Sequence, residues 1–158
     1  VFFAGDQIYE GDLTPAVRAP LEAALGDYLT KWFRHGWSFG DLTRRLPTVV
    51  VTDDHDVYHG NIWGNGGRRE DVEGLSKQDR GGYVMPPEFV NAVHRTQVAH
   101  LPATRADELL EGGITPYHTV LQWGGGSFAI LSDRMYKSPP AVVVTDEIRL
   151  VRNWKRST

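Results

Sequence analysis

Cysteine is absent from the 158-residue sequence, which excludes a disulfide framework and any thiolate metal site and leaves His, Asp, Glu, Asn and Tyr as available ligands. Charge of one sign is equally scarce. The 17 Lys and Arg stand against 20 Asp and Glu, a formal net charge of -3, so bulk attraction cannot hold a nucleic-acid backbone or an anionic membrane. Any phosphate site must be local. No apolar run approaches the length needed to span a membrane, and no Gly-Lys-Ser/Thr signature marks a nucleotide loop. Internal repeats and low-complexity tracts are missing too. The chain opens on Val1-Phe2-Phe3-Ala4 without a methionine, a charged leader or a small-residue cleavage site. Such a start inside an apparent strand is expected of a piece cut from a longer protein.

What is present is enough to fold. Hydrophobic residues make up 41% and charged residues 23% of the chain, the balance of a globular protein with one core or part of a larger one. Val1 to Ala4 and Pro47 to Thr52 are short, β-branched and aromatic runs without alternation, the pattern of central strands buried on both faces. Between them Thr14-Pro15, or alternatively Pro20, opens a helix with Leu21, Leu25, Tyr28, Leu29, Trp32 and Phe33 at helical spacing. Strand, helix, strand is the crossover that parallel pairing requires, and it predicts an α/β layered fold. His59 to Gly82 reads as a long irregular loop. Pro86-Pro87 opens a second helix carrying Phe89, Val90, Val93, Gln97 and Leu101 and ending at Leu101-Pro102. Tyr117 to Trp123 and Ser127 to Ser132 form a hairpin through Gly124 to Gly126, and Ala141 to Thr145 is a further strand. The tail from Arg149 is basic and poorly patterned.

The chemistry gathers where the two strands end. Phe3-Ala4-Gly5-Asp6 and Val51-Thr52-Asp53-Asp54-His55-Asp56 both run from apolar strand straight into acid. In open α/β sheets the ligand crevice lies beyond the carboxyl ends of the strands, so parallel neighbours bring these acids to one rim. Carboxylates that close raise one another's pKa unless a cation compensates them. With a phenol or an imidazole nearby, the set suits Ca, Mg, Mn, Fe or Zn.

The stretches Gly5-Asp6-Gln7-Ile8-Tyr9 and Asp53-Asp54-His55-Asp56, with Gly82-Tyr83-Val84-Met85-Pro86-Pro87-Glu88-Phe89 and Ser127 to Arg134, resemble the alkaline phosphatase D (PhoD-like) branch of the metallophosphoesterases. The likeness covers residues 1 to about 140 as a partial domain, with 141–158 a divergent tail. It implies a layered sandwich of central sheets flanked by helices and hydrolysis of phosphate mono- or diesters by water activated at two metals. Those metals would be iron plus calcium, with zinc, manganese or magnesium as alternatives. By the same resemblance Asp6 bridges the metals, Tyr9 and Asp54 are further ligands, His55 contacts the phosphoryl group or leaving oxygen, and Asp56 orients His55. Asp53, His59, Asn61 and Arg134 are candidate contacts to a small phosphoester substrate. The family's first metal motif belongs upstream of Val1 and its later histidine motifs downstream of this chain, so the piece by itself is expected to be inactive. An extracellular or periplasmic location is implied.

Plainer readings exist for each residue. Asp6 alone is a turn or cap residue, Tyr9 alone a packed ring, and Asp53 to Asp56 a solvated acidic turn. His94, His100 and His118 lack spaced acidic partners and read as packing or surface residues. His59, Asn61, Trp63 and Asn65 line a pocket mouth or simply form turns. For the whole chain, the alternatives to an esterase are a non-catalytic metal-binding module and an inactive remnant of a truncated enzyme.

Overall fold

The computed structural model of the protein describes residues 1–59, 62, 73, 81–103 and 109–136. The loop assigned to His59–Gly82 lies largely outside these residues, and the strand at Ala141–Thr145 and the tail to Thr158 lie wholly outside them.

Strand β1 (Phe2–Ala4) leads through a long loop to helix α1 (Leu21–Arg45), which returns the chain to β2 (Val49–Val51). The two strands pair in parallel, Phe2 opposite Val49 and Ala4 opposite Val51, so the crossover expected from the sequence is present. Helix α1 starts after Pro20, whose ring fixes a backbone torsion compatible with a helix entry. It carries Glu22 in the first turn and Arg44 and Arg45 in the last, each complementing the helix dipole. It ends at Leu46 because the residue before Pro47 is driven out of the helical region, here to φ -122°.

The face that α1 buries differs from the one its apolar spacing suggests. Ala24, Tyr28 and Lys31 are buried, whereas Leu29 and Phe33 are exposed. The helix is rotated because Lys31 satisfies its ammonium inside, donating to Asp27 Oδ2 at 2.7 Å and to the Glu10 carbonyl at 2.8 Å. A buried charge needs such partners, and the Tyr58 ring, 5.4 Å from the ammonium, adds to the two acceptors. The strands also differ from their composition. Among the described residues the sheet has two strands, and Phe2 remains half exposed instead of lying between two layers.

Helix α2 (Pro87–Gln97) begins on a first-turn proline, as its sequence demands, and buries Phe89, Val90, Val93, His94 and Gln97. It stops at Gln97, one turn before the expected Leu101-Pro102. Leu101 instead packs, partly buried, against the cluster of Val49, Val98, Tyr117 and Ile130. The main core joins Ile8, Tyr28, Val57, Tyr58 and Phe89 with the rest of the α2 face. Strands β3 (Thr119–Trp123) and β4 (Gly126–Ile130) form the antiparallel hairpin, shorter at its open end than the sequence pattern suggests. Gly124 and Gly125 take φ of 57° and 79°, the left-handed pair that a two-residue hairpin turn requires. The fold is therefore mixed helix and strand, with the ends of β1 and β2 side by side.

His94 shows how the core treats a titratable group. Its side chain is 5% exposed, and burial pushes the imidazole down to about 4 although a hydrogen bond to the Thr115 carbonyl favours its proton. An unfolded chain protonates this ring near 6.5, so between about 4 and 6.5 the unfolded state binds the extra proton. The stability that neutral His94 confers is complete above about 6.5 and is lost as pH falls toward 4, by up to about 3 kcal/mol. Asp56, raised to about 6, acts in the opposite sense over the same interval. The measurement is accordingly a difference. Denaturant melts from pH 4 to 7 are expected to show wild type losing more stability on acidification than His94→Phe, and equal slopes would overturn the assignment.

Candidate metal centre

The loops that follow β1 and β2 touch. Gly5 sits at φ +106° against Asp53, so close that a Cβ on residue 5 would lie 2.4 Å from the Asp53 Cβ. Asp6 follows at φ 56°, a left-handed conformation that aspartate tolerates better than most residues. The turn turns Asp6 toward the second loop, and His55 N–H donates to its Oδ1 at 3.3 Å. A single turn of 3-10 helix, His55–Val57, follows, and the Asp54 side chain caps it by accepting from the N–H of His55 at 3.0 Å.

One atom each from Asp6, Asp54 and His55 lies within 4.8 Å of the other two. Among the described residues no other three such groups converge in this way. Asp54 is buried, while Asp6 and His55 are partly exposed, so the cluster opens to solvent on one side. The Tyr9 ring stacks on His55 at 3.9 Å between centroids, and its hydroxyl donates to Asp6 Oδ2 at 3.3 Å. The sequence-derived set Asp6, Tyr9, Asp54 and His55 is thus assembled.

Charge in the cluster is only partly compensated. Burial pushes Asp54 above its ordinary carboxyl value, with the Asp53 charge adding to the effect and Arg134 opposing it. Asp53 is likewise raised, mainly by burial. The Asp6 carboxylate, ahead of the other causes, raises the Tyr9 phenol. For His55, burial favours the neutral ring, but the hydrogen bond and charge of Glu10, helped by Asp6 and Asp54, prevail and hold it above the ordinary value. A cation among these groups would reverse each upward carboxyl and phenol shift.

One role assigned from the sequence needs correction. Asp56 does not orient His55; the His55 Nδ1 pairs instead with Glu10 Oε2 at 2.8 Å, and Glu10 is in turn held by Arg18 at 3.1 Å. Asp56 is fully buried and accepts hydrogen bonds from the backbone N–H groups of Asp6, Ile8 and Asp53 at 2.7, 3.1 and 2.9 Å, and from Gln97 Nε2 at 3.0 Å. It ties the two loops together and anchors both to α2. Arg134, expected at the substrate, places its guanidinium on Asp54 Oδ2 at 2.7 Å and on Asp53 Oδ2 at 3.3 Å. One of the positive charges that the acids call for is therefore supplied by the chain itself.

His59 is 4% exposed, with its backbone N–H donating to the Asp54 carbonyl, and so is buried rather than placed at a pocket mouth. Asn61, Trp63 and Asn65 lie outside the described residues. His100 Nε2 accepts from the Val50 N–H, and His118 Nδ1 accepts from the Ser132 N–H, both away from the cluster. Glu10 and Gln97 are the residues that sequence reasoning missed. Glu10 directly follows the Gly5 to Tyr9 motif, and Gln97 is the one amide on the apolar face of α2, so each carried a visible signal.

The donor set fits a hard or borderline cation. Asp6 and Asp54 offer carboxylate oxygens and Tyr9 a phenol, while the His55 ring beside them is held through its Nδ1 by Glu10. A second ion has no equivalent ligand set among the described residues. In comparisons with known proteins, no family model matches the chain, and no curated protein and no solved structure matches it.

Proposed function

We propose that the chain carries part of the metal and phosphate site of a phosphoesterase of the alkaline phosphatase D (PhoD-like) kind, within that family's layered sandwich. The single observation that supports this reading is the convergence of Asp6, Asp54 and His55 within 4.8 Å at the tips of two parallel strands. Asp6, Asp54 and Tyr9 hold the cation in this reading, iron with calcium by the family likeness, or zinc, manganese or magnesium. Such an ion would supply Lewis acidity to phosphoryl oxygens and lower the pKa of water, as hydrolysis of a phosphate ester requires. Glu10 keeps the Nδ1 of His55 occupied, which turns Nε2 toward the leaving oxygen of the ester, where the imidazole delivers a proton. Arg134 holds Asp53 and Asp54 in place at the rim where a small phosphoester enters.

The test uses the full-length protein. Hydrolysis of bis(p-nitrophenyl) phosphate is expected to require added metal, to stop on chelation, and to fall at least about a hundredfold in Asp6→Asn, the scale of a lost metal ligand or its immediate partner. Full activity in Asp6→Asn would reject the site. His55→Ala should lose turnover while retaining the metal content of wild type; loss of the metal instead would make His55 a ligand rather than the proton donor. A metal-binding module without turnover is the second reading, favoured by the guanidinium already seated on Asp53 and Asp54. Stoichiometric metal uptake without hydrolysis would select it.

A further inference from the structure

Helix α1 carries an apolar stripe on the side turned away from the core. Leu29, Phe33 and Trp37 are 48%, 66% and 80% exposed, and the two aromatic rings stand 6.2 Å apart between centroids. At about 100° per residue the three positions share one face, opposite Ala24, Tyr28 and Lys31, which the helix buries. Large apolar side chains left together in solvent mark a surface that another element covers.

The order of residues along this face says what covers it. Leu29 and Trp37 stand four residues either side of Phe33, Gly26 and Gly40 seven, and Glu22 and Arg44 eleven. All of them fall within a band about 80° wide. A second copy of the helix, laid antiparallel with the two-fold axis at Phe33, therefore sets Leu29 on Trp37, Gly26 on Gly40 and Glu22 on Arg44. Charge selects this direction, because a parallel pair would set Glu22 on Glu22 and Arg44 on Arg44. Glu22 is exposed. Arg44 touches Asp41 and the Gly40 carbonyl of its own helix, but that ion pair is exposed, at 75% and 83%, and the guanidinium has further N–H donors to offer.

The glycines fit the same pairing. A Cβ added at Gly26 or Gly40 would meet nothing within 4 Å, so no contact among the described residues calls for glycine at either position. Glycine is a poor helix former, and the approach of a second helix at a close interaxial distance gives both positions a use.

We propose that the Leu29–Phe33–Trp37 face of α1 is a homodimer interface, on which a second copy of this chain packs its own α1 antiparallel, with Glu22 of each copy on Arg44 of the other. No residue of the Asp6–Asp54–His55 cluster takes part, so the dimer needs no metal and stands or falls apart from the phosphoesterase reading.

The experiment is sedimentation equilibrium of the full-length protein under chelating conditions. Wild type is expected at twice the protomer mass at about 100 µM, and Trp37→Lys at the protomer mass. Because Trp37 is 80% exposed, that variant should keep the circular dichroism of wild type. Glu22→Arg and Arg44→Glu should each weaken the dimer about tenfold by setting like charges across both contacts, and the double variant should return to within about threefold of wild type. A monomeric wild type, whether the face then meets another part of the full-length chain or a different partner, would overturn the proposal. So would a Trp37→Lys chain that still dimerises, or a double charge variant no tighter than the single ones.

Discussion

Asp56→Ala is expected to destabilise the fold by about 4 kcal/mol or more, a large share of the 5–15 kcal/mol by which such a chain is stable. The carboxylate is fully buried and receives four hydrogen bonds, three from backbone N–H groups and one from Gln97. Truncation leaves those donors without an acceptor, and each buried orphan costs about 1–3 kcal/mol. Asp56→Asn keeps the shape but puts an NH2 group where a donor already points, so it recovers only part of the loss. Burial pushes the Asp56 carboxyl up to about 6, against the pull of all four donors, so the group is held ionised at neutral pH at some expense. Urea titration of the two variants measures both effects, and a loss below about 1 kcal/mol in Asp56→Ala would remove Asp56 as the tie between the loops.

Gly5→Ala should be almost as damaging, and its damage should reach the metal centre. A methyl group on residue 5 would meet the Asp53 Cβ at 2.4 Å and the Asp53 nitrogen at 3.1 Å, and the backbone there sits at φ +106°. Strain and overlap together amount to roughly 3 kcal/mol or more unless the two loops separate. Separation relieves the clash by moving Asp6 away from Asp54 and His55. The expected result is a lowered melting temperature together with a metal affinity reduced at least tenfold, read by calorimetric titration with manganese. Wild-type affinity in a destabilised Gly5→Ala chain would show that the cluster does not depend on this close approach.

Much of this arrangement was legible in the residues because it follows from local rules. The apolar runs at each end of α1 predict parallel strands, and acid placed directly after each run predicts acids at one rim; Asp6 and Asp54 do meet there. Prolines at positions 20, 47 and 87 mark helix boundaries by their fixed torsions, and Gly124-Gly125 marks the hairpin turn. The rest depended on partners that no local pattern names. Apolar spacing puts Leu29 and Phe33 on the inner face of α1, yet Lys31 takes that face because Asp27 and the Glu10 carbonyl satisfy it. Adjacency in sequence pairs His55 with Asp56, but the 3-10 turn points their side chains apart, and Glu10, 45 residues earlier, supplies the carboxylate. Arg134 reaches Asp53 across 81 residues, a pairing that composition cannot reveal.

The seating of Lys31 has a practical corollary. Its amine is held by a carbonyl and a carboxylate between α1 and the loop that bears Glu10, and the residue is 5% exposed. An acylating reagent can react there only while those surfaces are parted, since both the lone pair and the approach path are otherwise denied. The speed at which Lys31 becomes labelled is therefore a chemical clock for the opening of that seam, readable by mass spectrometry on the unaltered protein.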